Sequence, residues 1–200
     1  MLLHRDLAKR QFPSCRIVDG SECAVGFDVT KRKKRLRKTQ PGVRPMPNFF
    51  VGDGPCPSCR VAIVVSRYND SITNNLLDAA VSTFQAAGLD DAALDVARVP
   101  GAWEIPLIVQ RLARSQLYAA VVALGAVIRG ETTHDQHINR QVGDSLGKIA
   151  LDTDVPILFG ILTCNSLEQA ILRSGGQLGN KGAECAAAAL EMIKLRAKFR

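Results

Sequence analysis

The segment Ala119-Ala-Val-Val-Ala-Leu-Gly-Ala-Val127 is apolar at every position and lacks the period-two alternation of a strand with one wet face. It predicts a strand buried on both sides, as in a parallel sheet between two helical layers. Arg129 and Gly130 break the run, and Glu131-Thr-Thr-His134 leads into a stretch that reads as helix to about Leu151. Thr132 or Thr133 is placed to cap that helix, whose first turn presents free backbone N–H groups and the positive end of a dipole. An anion site would then lie beside an imidazole. For this segment alone, the default remains a capped turn with an incidental histidine.

Three other strand ends bring unusual residues to the same edge. Val61 to Val65 reads as a strand ending in Ser66-Arg-Tyr-Asn-Asp70, after which Ile72, Leu76, Leu77, Ala80, Val81 and Phe84 recur at helical spacing until Gly88. Leu94 to Val99 is a second strand. It runs into Pro100-Gly-Ala-Trp-Glu-Ile-Pro106, where Pro106 fits only the first turn of the following helix. Ile157 to Leu162 is the last strand, and Ser166-Leu-Glu-Gln169 has the capping-box spacing of a short helix closed by Gly175 and Gly176. A final helix is predicted from about Ala183 toward Arg200. Strand and helix thus alternate four times, which predicts an α/β fold with helices on both faces and ligands beyond the carboxyl ends of the strands.

With these residues in place the chain resembles the 6,7-dimethyl-8-ribityllumazine synthase family of riboflavin biosynthesis. The resemblance covers about Val61 to Arg200. It rests on Arg67-Tyr-Asn69, Val99-Pro-Gly-Ala-Trp-Glu-Ile-Pro106, Gly125-Ala-Val-Ile-Arg-Gly-Glu-Thr-Thr-His134, Phe159-Gly-Ile-Leu-Thr163, Glu168-Gln-Ala-Ile-Leu-Arg173 and Gly179-Asn-Lys-Gly-Ala-Glu184, in that order. It implies a flavodoxin-like parallel sheet in a three-layer αβα sandwich. The implied reaction condenses 5-amino-6-(D-ribitylamino)uracil with 3,4-dihydroxy-2-butanone 4-phosphate, releasing phosphate and water, with neither a metal nor an organic cofactor. An amine attacking a carbonyl while phosphate leaves calls for an anion clamp and a proton-transfer group.

Carried over by position, the resemblance makes His134 the proton-transfer residue and Arg173 the phosphate clamp, helped by the backbone at Glu131 and Thr132. Tyr68 would stack on the pyrimidine and the backbone around Asn69, Val127 and Ile128 would read its edges, with Lys181 nearby. Ala102, Trp103 and Glu104 would hold the ribityl hydroxyls. Phe159 and Glu184 would line the site from a neighbouring subunit, or the reverse, since family sites lie between subunits. The implied assembly is a pentamer, with twelve pentamers in a shell favoured by the short connection Arg173 to Gly182, and riboflavin synthase is a candidate partner. A different class of reading is a noncatalytic lumazine- or flavin-binding shell protein.

Each of these residues also has a plainer reading. Trp103 and Phe159 read on their own as core aromatics, Glu104 as a helix-start carboxylate, Arg173 as a solvated last-turn cation and Lys181 as a surface lysine. His137 has no assigned role. Asp135, Gln136 and His137 stand where the family commonly has an aromatic, an acid and another aromatic.

Charge divides the chain at about residue 48. The net charge is +7, yet residues 1–60 hold 13 Lys+Arg against 5 Asp+Glu and the remainder is nearly balanced. The excess peaks at Lys31-Arg-Lys-Lys-Arg-Leu-Arg-Lys38 and passes into Pro41, Pro45 and Pro47. Residues 1–48 are therefore expected to be a flexible basic arm and 49–200 the enzyme domain. The arm suggests nucleic acid only weakly, makes a poor transit peptide, and would be largely absent from a protein starting at Met46. Cys56-Pro-Ser-Cys59 is a lone C-x-x-C, with Cys15 and Cys23 poorly spaced as a second pair, so free thiols in a cytoplasmic protein are the expectation. No apolar run approaches the roughly 18 residues of a membrane span.

Overall fold

The structure is a computed structural model and describes residues 47–199. Expectations placed on the basic run and on Cys15 and Cys23 lie outside the described residues. The elements alternate as the sequence predicts: β1 Val61–Ser66, α1 Asp70–Ala86, β2 Leu94–Val99, α2 Ile105–Arg114, β3 Ala120–Ile128, α3 His134–Thr153, β4 Ile157–Cys164 and α4 Leu167–Arg173. A small hairpin of β5 Ser174–Gly176 and β6 Gly179–Asn180 then leads into α5 Lys181–Ala197.

The four long strands form one parallel sheet in the order β2-β1-β3-β4. Doubly wound flavodoxin-like sheets share this start, and their ligands lie where the order reverses, between β1 and β3. Strand β3 is buried at eight of its nine positions. Its residues divide by alternation: Ala120, Val122, Leu124 and Ala126 join the core under α1 and α5, whereas Val121, Ala123 and Val127 join the core under α2 and α3. The result is a three-layer αβα sandwich, which explains why an unbroken apolar run is stable here.

Close packing within a layer depends on two glycines. A Cβ on Gly182 would stand 1.9 Å from the Leu76 carbonyl oxygen, so the start of α5 can lie against α1 only without a side chain. A Cβ on Gly160 would meet Leu124 Cδ2 at 2.6 Å.

Local details differ from expectation at the helix starts. Thr133 is the residue before α3, but its backbone (φ −83°, ψ 11°) is not extended and no side-chain capping bond forms. The Thr132 hydroxyl instead accepts from the His134 N–H at a long 3.5 Å. Helix α5 begins at Lys181 rather than Ala183, because Asn180 Oδ1 accepts from the N–H groups of Gly182 (2.8 Å) and Ala183 (3.4 Å). Ser166 caps α4 as its spacing predicts, accepting from Gln169 N at 3.4 Å.

Candidate active site

The loops after β1, β2 and β3 are tied together at the carboxyl edge of the sheet. Arg67 N donates to Val99 O (2.8 Å) and Tyr68 N to Pro100 O (3.1 Å), joining the first loop to the second. Asn69 takes a left-handed conformation (φ 60°, ψ 48°), which asparagine tolerates, and its side-chain amide donates to Ala126 O at 2.9 Å. The first loop is thereby braced against β3. In the second loop the Glu104 carboxylate accepts from Gly101 N at 2.9 Å, closing the tight turn ahead of α2.

These loops enclose a cleft of about 480 Å³. Tyr68 and Asn69 line it from the first loop, Ala102, Trp103 and Glu104 from the second, and Val127, Ile128, Thr132 and His134 from β3 and the start of α3. Nine of the expected site residues thus meet in one concavity at the switch point of the sheet. The aromatic rings there are open to the cleft and its surroundings: Tyr68 is 73% and Trp103 55% exposed. A core role for Trp103 does not hold, nor does one for Phe159, which is 42% exposed on edge strand β4.

Glu131, Phe159, Arg173, Lys181 and Glu184 do not line this cleft. Arg173 ends α4, with one guanidinium N–H donating to Gln169 O at 3.1 Å. Its charge faces Cys164, whose thiol is nonetheless pushed up by burial. Lys181 and Glu184 form a 2.9 Å ion pair one turn apart at the start of α5, and this bond raises the lysine's pKa. The expected residues therefore fall into two groups on a single chain. One group builds a cleft; the other presents a cation, an ion pair and an exposed ring elsewhere.

The cleft also uses Gly101, Ala126, Gly130, Asp135 and Ile138, which the sequence reading did not assign. Ile138 carries a legible signal, being an apolar residue one turn after His134 on a polar helix. Among the described residues no group of three or more His, Cys, Asp and Glu side chains is arranged to hold a metal. Cys59 lies beside Cys56, and burial with this thiol neighbour raises it to about 11. Among the described residues, no helix is long and apolar enough to cross a membrane.

Sheet order, switch-point cleft and a histidine at the mouth of a helix together define a flavodoxin-like α/β enzyme acting on a small molecule. The model of the 6,7-dimethyl-8-ribityllumazine synthase family matches residues 58–197. The 6,7-dimethyl-8-ribityllumazine synthase of Desulfotalea psychrophila is 47% identical over 150 residues, 75% of this chain and 97% of that protein. That of Rhodopirellula baltica is 46% identical over 155 residues, 78% of this chain and all of its own length. The chain belongs to the 6,7-dimethyl-8-ribityllumazine synthase family.

Proposed function

We propose that the protein makes 6,7-dimethyl-8-ribityllumazine by condensing 5-amino-6-(D-ribitylamino)uracil with 3,4-dihydroxy-2-butanone 4-phosphate, releasing phosphate and water. The observation that carries this reading is the single cleft in which Tyr68, Trp103, Glu104 and His134 meet, in a chain 46–47% identical to two synthases. Tyr68 stacks on the pyrimidine, and the backbone at Asn69, Val127 and Ile128 reads its edges. The turn Ala102–Glu104 holds the ribityl hydroxyls. His134 moves protons as the primary amine adds to the ketone and water leaves to give the imine.

Arg173 takes the phosphate together with the backbone at Glu131 and Thr132, a planar guanidinium being suited to an oxyanion. Because Arg173, Lys181, Glu184 and Phe159 stand apart from the cleft of their own chain, a second copy supplies them. The site is then completed in a ring of identical subunits, for which we propose a pentamer. The domain responsible spans 49–200, and residues 1–48 form an appended basic arm.

Steady-state kinetics on both substrates test these roles. Arg173→Ala should raise KM for the phosphorylated ketone by roughly 30-fold or more, as expected for one desolvated charged contact, and leave KM for the pyrimidine nearly unchanged. His134→Ala should lower kcat by about 100-fold or less, since water or the substrate phosphate can partly substitute. Equal effects of Arg173→Ala on both substrates would make it a structural arginine. A wild-type protein that forms no fluorescent lumazine would end the reading altogether.

A further inference from the structure

The Cys56-Pro-Ser-Cys59 motif lies outside the cleft and has no part in the proposed reaction. It belongs to a strap, residues 50–60, that lies along the end of α5 before the chain enters β1. Phe50 packs on Phe199 with ring centroids 5.0 Å apart, and Asp53 pairs with Lys198. Gly52 lies so close to α5 that a Cβ there would stand 2.1 Å from the Glu191 carbonyl oxygen. On the other flank of the motif, Arg60 is tied to Asp95. Both thiols are half-buried against the core under α1 and α5, with the Cys59 thiol in hydrogen-bonding reach of Cys56. Anchors on both flanks thus hold two thiols side by side, the arrangement from which a disulfide closes. Pro55, Pro57 and Ser58 are exposed, and Cys59 opens onto a cavity of about 140 Å³ beside Ala119 and Ile193, so a small reagent reaches the pair. Cys164 and Cys185, the other cysteines among the described residues, are buried.

We propose that Cys56 and Cys59 form a reversible oxidation site that closes to an intramolecular disulfide by exchange with a low-molecular-weight disulfide of the glutathione class. The first protein thiolate attacks one sulfur of the reagent, giving a mixed disulfide and releasing one reagent thiol. The second protein sulfur then attacks the first, and its proton goes to the second reagent thiol as that leaves. The protein loses two hydrogens with their electrons, and the reagent disulfide is reduced to two thiols. Burial and the neighbouring thiol keep Cys59 protonated, which makes Cys56 the attacking sulfur and Cys59 the resolving one. Two other roles compete, half of a metal site and a plain packing contact. A structural zinc needs further ligands, and among the described residues no group of three or more His, Cys, Asp and Glu side chains is arranged to hold a metal.

Thiol trapping separates these roles. The full-length protein, with its six cysteines, is equilibrated without oxygen in a series of reduced and oxidised glutathione mixtures, alkylated, digested and read by mass spectrometry. Cys56 and Cys59 should lose alkylation together in one step. Their mutual disulfide should exceed the mixed disulfides at these positions by roughly tenfold or more, because the second thiol acts at high effective concentration. Cys164 and Cys185 should stay alkylatable once the protein is denatured. Cys59→Ser, which lacks the resolving thiol, should accumulate the glutathione adduct at Cys56. A bond from either residue to Cys15 or Cys23, mixed disulfides as the main wild-type products, no adduct at Cys56 in Cys59→Ser, or bound zinc that shields both thiols would overturn the proposal. So would a pair that stays reduced until the chain unfolds. None of these readouts uses turnover, so the proposed reaction and the oxidation site stand or fall separately.

Discussion

At the far, amino-terminal pole of the sheet Asp95 gathers two donors, Arg60 Nη2 at 2.5 Å and Tyr118 Oη at 2.7 Å, and Arg60 also lies over the Tyr118 ring. These donors hold the Asp95 carboxyl below its ordinary value. A carboxylate lowered by folding stabilises the native state above its unfolded pKa of about 3.9, and that contribution is lost as pH falls through the folded value. The urea midpoint of the wild type should therefore fall more steeply than that of Asp95→Asn as pH drops below about 4. Parallel profiles would show that the cluster adds nothing to stability, as its exposure to solvent allows. Nothing in the sequence marks this triad. Its members are 35 and 23 residues apart and meet only through strand register, Val61 pairing with both Leu94 and Ala120. The cleft residues were legible for the opposite reason: each lies at the carboxyl end of its strand or in the loop and helix start that follow, and parallel strands bring those ends together. Asp135 remained unassigned because the direction of a helical side chain depends on the packing of the whole helix.

Among the elements, β3 was read nearly to its ends, because double burial leaves no other explanation for its composition. The hairpin β5–β6 was not read, since two and three residues of serine, glycine and asparagine carry no periodicity. Its geometry rests on Gly175 and Gly179, with φ of 122° and 82°. The start of α5 was placed two residues late for a related reason: the Asn180 cap lies within a segment that glycine makes look like loop. That same helix start should be the most sensitive joint of the fold. Gly182→Ala forces a methyl onto the Leu76 carbonyl, an overpacking expected to cost roughly 1–3 kcal/mol. Thermal unfolding should show Tm lower by several degrees for a domain of this size, at about 2–4 °C per kcal/mol. An unchanged Tm would mean that α5 slides away from α1 at no cost.

For the molecule as a whole, the two groups of site residues favour assembly over a solitary chain. The connection from Arg173 to Gly182 is short and folded into the hairpin, and we propose that it leaves the proposed pentamers free to pack into a shell. Light scattering should then find hollow particles of twelve pentamers. Discrete pentamers or decamers across pH and phosphate concentration would refute the shell while leaving the ring intact. The central claim is that each site joins the His134 cleft of one copy to the Arg173 group of another, and subunit mixing tests it most directly. His134→Ala and Arg173→Ala proteins are dissociated, combined in equal amounts, reassembled and assayed with the ketone phosphate well below its KM, where both parents are strongly impaired. Random mixing pairs an intact cleft with an intact arginine at about a quarter of the sites, so activity should recover to about a quarter of wild type. A mixture no more active than the average of its two parents would place both groups on one chain and contradict the account.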